Sequence, residues 1–224
     1  MAIELAIRGL RSGYGPLEVL HGLDVDIPGG LVTGLLGPNG AGKTTFLRTL
    51  AGHLQSRAGR VWWQGDDIEG WSPEQRAERG LVFVPADNAV FPSLSVRDNL
   101  DIFSQGAPLD AAFAAFPVLE SRLQQRAGTL SGGEQRMLAM SRALLVRPAL
   151  LLADEPSLGL SATLTAQIYD VIASVAATGV TVVVADQYVE RIQAMAAVIY
   201  RLEHGEVAFA GEPSELATGA AASC

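Results

Sequence analysis

The sequence has 224 residues, of which 49% are hydrophobic and 6% aromatic, and its formal net charge is −8. This length fits one large domain or two small ones, and the hydrophobic fraction is enough to bury a full core. The acidic balance provides neither a basic surface for nucleic acid nor a polybasic membrane anchor. We therefore expect no nucleic-acid partner.

The cysteine content and the N-terminal residues indicate the compartment. Cys224 is the only cysteine, so no disulfide can form within the chain, which is typical of a protein in a reducing cytoplasm. The first residues lack the basic then apolar order of a signal peptide. The longest apolar stretch, residues 143–153, is interrupted by Arg147-Pro148 and is too short to span a bilayer. We expect a cytoplasmic protein that reaches a membrane only through a partner.

The first part of the chain predicts strands leading into a helix. Strand-like segments occur at residues 3–8, 18–27 and 31–36, and the last is a nearly unbroken apolar run, as in a strand buried on both faces. Residues 44–51 have a helical pattern that Gly52 would end. Residues 59–63 predict another strand, followed by a turn at residues 65–67.

The remaining residues predict a helical insertion and then a return to strand–helix alternation. About residues 87–130 hold three prolines and short helical patterns at 96–103 and 111–116. Beyond them we expect helices at 133–145 and 162–177, strands at 150–153 and 180–185, and a hairpin of 198–202 with 206–210. These elements predict a single α/β domain over residues 1–217, with 218–224 as a flexible tail.

Residues 37–44 match the pattern G-x-x-x-x-G-K-[ST] and connect the predicted buried strand to the predicted helix. Glycines let the backbone curl around phosphates, and the helix adds its positive N-terminal end. A chance match to a Gly-rich turn would lack this strand and helix. We expect Lys43 to reach the β- and γ-phosphates of ATP and Thr44 to ligate Mg²⁺. The predicted ATP-binding residues are Gly37, Pro38, Asn39, Gly40, Ala41, Gly42, Lys43, Thr44 and Thr45.

A second set of acidic residues ends the apolar run at residues 150–153. Asp154 and Glu155 follow this predicted strand, and the carboxyl ends of parallel strands open onto the ligand crevice. We expect Asp154 to bind Mg²⁺ and Glu155 to orient or deprotonate the attacking water. The alternative is a solvated strand end whose acid caps the next helix. The phosphate loop upstream favours the functional interpretation.

The segment Leu130-Ser131-Gly132-Gly133-Glu134-Gln135 narrows the family. Ser131 and Glu134 have the spacing of a capping box, but two glycines weaken a helix start unless another group approaches the backbone. Together with the phosphate loop, this segment resembles the signature motif of ABC ATPases. The resemblance extends from about residue 3 to residue 216 and implies the ABC ATPase fold: an α/β P-loop NTPase sandwich with an antiparallel β subdomain and a small helical insertion.

The resemblance also implies partners and further site residues. In this family two ATP-binding subunits dimerise head to tail, so Ser131, Gly132 and Gly133 would bind, in trans, the ATP held by a second subunit in a homodimer or heterodimer. Tyr14 occupies the position of an aromatic residue that stacks on adenine; without the family context it would be a surface turn residue. The ATP-binding subunits act on integral membrane permease subunits, which implies a peripheral location at the inner face of the membrane.

Segments 91–96, 126–135 and 154–160 resemble in particular the ATPases of branched-chain amino acid importers. Urea and amide importers share much of this pattern. Outside transport, the alternatives are an ABC ATPase of DNA repair or translation and a regulator that binds nucleotide with little hydrolysis. Repair and translation ATPases usually carry added modules, for which this chain has no room.

Three positions depart from the family pattern. Ala86 stands where the family has Gln or Glu that touches the metal shell and links the site to the permease, and the adjacent Asp87 could take over. Gln187 stands at the switch position, which is usually His, and can still donate a hydrogen bond to a γ-phosphate. Ser161 replaces a usual Asp. We expect hydrolysis to be retained, with Glu155, Lys43 and Gln187 as the catalytic residues.

Overall fold

The computed structural model describes residues 2–87 and 89–219. The strands are β1 (Ile3–Tyr14), β2 (Leu17–Pro28), β3 (Val32–Leu36), β4 (Ser56–Trp63), β5 (Asp66–Asp67), β6 (Leu81–Val84), β7 (Leu150–Asp154), β8 (Thr181–Ala185), β9 (Val198–Glu203) and β10 (Glu206–Gly211). The helices are α1 (Lys43–Leu50), α2 (Pro73–Glu78), α3 (Val96–Ser104), α4 (Asp110–Ala115), α5 (Pro117–Glu120), α6 (Gly132–Val146), α7 (Ala162–Ala177), α8 (Val189–Met195) and α9 (Pro213–Gly219). A 3₁₀ turn spans Ala127–Thr129.

The strands form two sheets. A four-stranded antiparallel sheet has the order β2-β1-β4-β5. A six-stranded sheet has the order β10-β9-β3-β8-β7-β6, in which β10 is antiparallel to β9 and the other neighbours are parallel. The carboxyl ends of β3, β8, β7 and β6 therefore lie along one edge of this sheet. That edge receives the phosphate loop, the acidic pair and the residues after β6 and β8.

The central strands are mostly apolar because each buries both faces. Leu150 and Leu152 of β7 belong to a core shared with α1 and the four-stranded sheet, whereas Leu151 and Ala153 belong to a core shared with α3–α7. Side chains alternate across a strand, so a strand between two cores needs apolar residues at every position. The unbroken runs that predicted these strands have this origin.

The segment between β6 and β7 is helical, and its helices pack on the second core. Leu100, Phe103, Phe116 and Leu119 from α3–α5 are buried in the same cluster as residues of α6 and α7. The capping boxes of Ser95 on α3 and Ser131 on α6 fix where these two helices begin. The helical segment thus presents the start of α6 beside the six-stranded sheet.

The predicted elements are present, with differences in extent. The predicted strand at residues 3–8 continues to Tyr14, and the predicted turn at residues 65–67 contains β5, which pairs with Trp62 and Trp63. The strand β6 and the helices α2, α5, α8 and α9, each of seven residues or fewer, were not predicted. Helix α9 runs to Gly219, past the predicted start of the tail, and residues 220–224, with Cys224, lie outside the described residues.

Within residues 2–87 and 89–219, no helix has the length and apolar character to cross a membrane.

Candidate functional site

The phosphate loop follows β3 and precedes α1, as predicted. Gly37 and Gly42 adopt φ angles of 148° and 106°, which residues with a side chain rarely adopt. A Cβ atom on Gly37 would lie 2.4 Å from the carbonyl oxygen of Leu202, and one on Gly42 would lie 2.8 Å from a methyl carbon of Leu20. Both positions therefore require glycine for conformation and for space.

Lys43 folds back over this loop at the start of α1. Its Nζ donates hydrogen bonds to the carbonyl oxygens of Gly37 at 2.8 Å and Pro38 at 3.2 Å. The same Nζ lies 3.6 Å from Oε1 of Glu155, with 4% of the Lys43 side chain exposed. The buried ammonium thus joins the loop to the acid that follows β7.

Thr44 and Asp154 meet at the same edge. The Thr44 hydroxyl donates to Oδ1 of Asp154 at 3.2 Å, while Oδ2 of Asp154 is buried without a hydrogen-bond partner. Burial raises the pKa of the Asp154 carboxyl to about 6, against the lowering effect of the Thr44 hydrogen bond. A buried, unpaired carboxylate oxygen beside a hydroxyl fits a hard divalent cation such as Mg²⁺, which prefers oxygen ligands.

Glu155 leaves the strand in an unusual backbone conformation. Its φ angle is 41°, in the left-handed region, and its N–H donates to the carbonyl oxygen of Ala185 at 2.7 Å. A non-glycine residue in this region is strained and persists only when its surroundings hold it there. The neighbouring strand β8 supplies this constraint, and the Glu155 carboxylate faces Lys43.

Gln187 lies at the exposed end of β8 and lines, with Gly37 and Pro38, a cavity of about 540 Å³. The preceding residue, Asp186, is buried and accepts hydrogen bonds from the side chains of Ser157 at 2.7 Å and Tyr169 at 2.8 Å. Its other oxygen accepts from the N–H of Gln187 at 2.6 Å. Asp186 therefore fixes the backbone from which Gln187 extends.

Sequence reasoning missed Asp186 as a site residue. A signal was available, because this acid ends an apolar strand as Asp154 does.

Tyr14 lies at the end of β1, with 40% of the residue exposed. It borders a groove of about 400 Å³ whose walls include Arg48, Asp87 and Phe91. The residues that line the cavity at Gly37 and Pro38 are a different set. Adenine stacking by Tyr14 therefore stays a prediction from the resemblance.

The signature segment begins α6. Ser131 Oγ accepts from the Glu134 N–H at 3.3 Å, and Glu134 Oε2 accepts from the Ser131 N–H at 2.9 Å, so the capping box is confirmed. A Cβ atom on Gly133 would lie 2.6 Å from a methyl carbon of Leu164, whereas one on Gly132 would meet nothing within 4 Å. Packing against α7 accounts for Gly133. Gly132 faces open space, and no atom of the described residues lies close enough to require glycine there.

The two glycine-rich segments face different spaces. Gly132 lines a cavity of about 410 Å³ with Ala86, Arg136 and Leu158, a set that includes none of residues 37–45. Of the departures from the family pattern, Ala86 lies on this cavity and Ser161 precedes α7. The Asp87 carboxylate is 3.3 Å from Nη2 of Arg48, and Ser161 caps α7 by accepting from the Leu164 N–H at 3.4 Å.

Taken together, the parallel sheet, the loop between β3 and α1 and the acids after β7 define a P-loop nucleotide-binding protein. The chain belongs to the ABC transporter family, whose sequence pattern it matches over residues 20–158. It is an ATP-binding subunit of a family that hydrolyses ATP.

Individual relatives cover nearly the whole chain. The chain is 37% identical to the high-affinity branched-chain amino acid transport ATP-binding protein BraG of Pseudomonas aeruginosa, over 91% of this chain and 90% of that protein. It is 35% identical to the probable branched-chain amino acid transport ATP-binding protein LivF of Archaeoglobus fulgidus, over 92% and 91%. Nod factor export ATP-binding protein I of Ralstonia nicotianae is also 35% identical, over 96% of this chain and 68% of that protein.

Solved structures agree on the fold. A nucleotide-free ATP-binding cassette from an ABC transporter superposes with a TM-score of 0.82 over 98% of this chain and 94% of that one, at 23% identity. This identity supports the predicted ABC ATPase fold alone.

Proposed function

We propose that this chain is the ATP-hydrolysing subunit of an ABC importer that takes up branched-chain or similar small amino acids through a membrane permease. The observation that carries the proposal is the identity to BraG and LivF, 37% and 35%, over more than nine-tenths of the chain. Because the chain is also similar to a Nod factor export protein, the direction of transport has to be tested.

In this proposal residues 37–45 hold the phosphates of ATP, with Lys43 contacting the β- and γ-phosphates. Thr44 and Asp154 hold Mg²⁺, which neutralises phosphate charge when bound. The 3.2 Å contact between these two side chains and the unpartnered Oδ2 of Asp154 support that assignment. Tyr14 stacks on adenine, an assignment that the family resemblance alone supports.

Hydrolysis uses Glu155 and Gln187. Glu155 orients or deprotonates the attacking water, and its strained backbone and its contact with Lys43 support this role. Gln187 donates a hydrogen bond to the γ-phosphate, supported by its position on the cavity of Gly37 and Pro38. The proton that Glu155 accepts is later released to solvent, since 17% of its side chain is exposed.

A second ATP-binding subunit completes each site. Ser131, Gly132 and Gly133 bind the γ-phosphate held by that subunit, and the open space at Gly132 supports this role. The permease binds the helical part of the chain, about residues 87–130, and holds the protein at the inner face of the membrane. Phe91, which lies in this part of the chain and is 48% exposed, supports this contact.

The variant Glu155→Gln tests the chemistry. It keeps the size of the side chain and removes the base, so ATP binding should stay within about twofold of the parent while turnover falls by about 100-fold or more. ATP binding and phosphate release are measured on the same preparation. Turnover at the parent rate in Glu155→Gln contradicts the role given to Glu155.

Transport is tested separately, with the permease that copurifies from membranes. In vesicles, a branched-chain amino acid with its binding protein should stimulate ATP hydrolysis and accumulate on the side that holds ATP. Stimulation by urea or an amide instead would move the proposal to that importer class. Release of solute from the ATP side, or a salt-sensitive complex with DNA or ribosomes in place of a permease, would overturn it.

A further inference from the structure

Arg136 is a buried cation with no role in the function proposed above. It lies in the second turn of α6, and 9% of the residue is exposed. Its Nη1 donates to the carbonyl oxygen of Pro85 at 2.8 Å, and its Nη2 donates to the carbonyl oxygen of Ala86. A buried guanidinium is costly unless its donors are satisfied, and here two consecutive carbonyls accept from its two ends.

The segment that Arg136 binds lies at the reactive edge of the sheet. Residues 85–87 follow β6, which is parallel to β7 with Val84 opposite Ala153. The next residues along the two strands are Pro85 and Asp154, so the segment runs beside the proposed Mg²⁺ ligand. Burial lowers the pKa of Arg136, while four acids of this edge act in the opposite direction: Asp154, Asp87, Asp186 and Glu155.

The side chain at position 86 provides no polar link of its own. Ala86 has only a methyl group, and Asp87 forms an ion pair with Arg48 of α1 at 3.3 Å. The hydrogen bonds from Arg136 therefore join the residues after β6 to the helix that carries Ser131 and Gly132. Two parallel donors on consecutive carbonyls also fix the orientation of both partners, which a single bond does not.

We propose that Arg136 is a positioning residue that makes the segment Pro85–Asp87 and the start of α6 move together. Nucleotide binding at the phosphate loop then changes the mobility of the signature segment. The link is made by the guanidinium and two backbone carbonyls, so it does not need Gln or Glu at position 86. This inference rests on the proposed function, because it requires that ATP binds at residues 37–45.

Hydrogen–deuterium exchange of the full chain tests the link. We compare amide exchange with and without Mg²⁺ and a non-hydrolysable ATP analogue, at a concentration at which light scattering shows a monomer in both conditions, so that no second subunit protects residues 131–136. In the parent, the analogue should slow exchange in residues 37–45 and, by about fivefold or more, in residues 131–136. In Arg136→Gln the slowing at 37–45 should remain, and the slowing at 131–136 should fall below about twofold.

Two further variants separate linkage from charge and folding. Arg136→Lys keeps the charge but not the two-pronged geometry, so it should restore only part of the effect. Arg60→Ala is the matched control, because it removes an arginine whose side chain is 67% exposed, from β4. It should exchange as the parent does. A merely structural role would raise exchange at 131–136 without nucleotide and leave the nucleotide-induced difference unchanged.

The outcomes test this inference separately from the proposed function on which it rests. The link through Arg136 is overturned if the analogue slows exchange at 131–136 as much in Arg136→Gln as in the parent. It is also overturned if the parent shows slowing at 37–45 but none at 131–136. Full restoration by Arg136→Lys also overturns it, in favour of a charge effect. Absence of slowing at 37–45 in the parent overturns the proposed function itself, and the inference with it.

Discussion

The phosphate loop and the signature segment are both glycine-rich starts of helices, yet their surroundings differ. At the phosphate loop, Cβ atoms on Gly37 and Gly42 would collide with the rest of the chain, and Lys43 is bound by loop carbonyls. At the signature, Ser131 and Gly132 are exposed, and a Cβ on Gly132 would meet nothing. Neighbouring atoms of the chain require glycine at positions 37 and 42, whereas no described residue requires glycine at position 132.

From this difference we propose that one chain contributes to two different sites. A helix N-terminus binds anions through unpaired N–H groups, and both segments offer one. The phosphate loop is backed by Lys43 and Asp154, which can hold a nucleotide and its cation. The cavity that Gly132 lines includes Arg136 and Asp87 but none of residues 37–45, so we propose that a second subunit brings the ligand of the signature. The following predictions test this contrast.

The largest expected effect is at Lys43, the only lysine in the chain. In Lys43→Ala the loop loses the cation that contacts the phosphates, so ATP binding should weaken by about 100-fold or more. Equilibrium binding of ATP measures this directly. An amine-reactive reagent can modify no other lysine, and ATP should protect Lys43 from it in the parent. Equal labelling with and without saturating ATP would contradict this placement of the phosphates.

A second effect concerns Asp154 in the nucleotide-free chain. Burial raises its pKa from 3.8 to about 6, so the folded state holds the proton more tightly than the unfolded state. This contribution to stability is complete below pH 3.8 and is lost as pH rises to about 6. Above pH 6 the charge destabilises the fold, and Asp154→Asn removes that charge. The variant should gain about 3 kcal/mol in free energy of unfolding at pH 7.5 and only about 0.5 kcal/mol at pH 4.

Denaturant unfolding at the two pH values measures the gain. Adding Mg²⁺ and ATP provides the control, because binding should stabilise the parent more than Asp154→Asn. A variant that is less stable than the parent at both pH values would show that Asp154 does not carry an uncompensated charge in the folded chain.

The smallest effect compares the adjacent glycines of the signature. Gly132→Ala has room for its methyl group and should raise the free energy of unfolding by about 0.5 kcal/mol, since alanine favours helix. Gly133→Ala places its Cβ 2.6 Å from Leu164 and should lower it by about 1 kcal/mol. ATP hydrolysis should fall in both. Gly132→Ala with undiminished hydrolysis would show that no ligand approaches that position.

The site could be predicted where local sequence determines it. The phosphate loop and the acids after β7 were predicted to meet because parallel strands end at one edge, and Thr44 and Asp154 are 3.2 Å apart. Strand β6 was missed because four apolar residues have no distinctive period. The hydrogen bonds of Arg136 join residues about 50 positions apart, and no local sequence pattern predicts a contact over that separation. The contact of Gly133 with Leu164 was invisible for the same reason.

We propose that the signature binds a nucleotide other than the one bound at this chain's own phosphate loop. The most direct test measures equilibrium ATP binding by monomeric chains carrying Gly132→Glu or Lys43→Ala. Gly132→Glu places a negative charge where the γ-phosphate of a second subunit would bind. We expect the ATP affinity of Gly132→Glu to stay within about twofold of the parent, and that of Lys43→Ala to fall by about 100-fold. Equal losses in the two variants would contradict it, because the signature would then bind the same nucleotide as the loop.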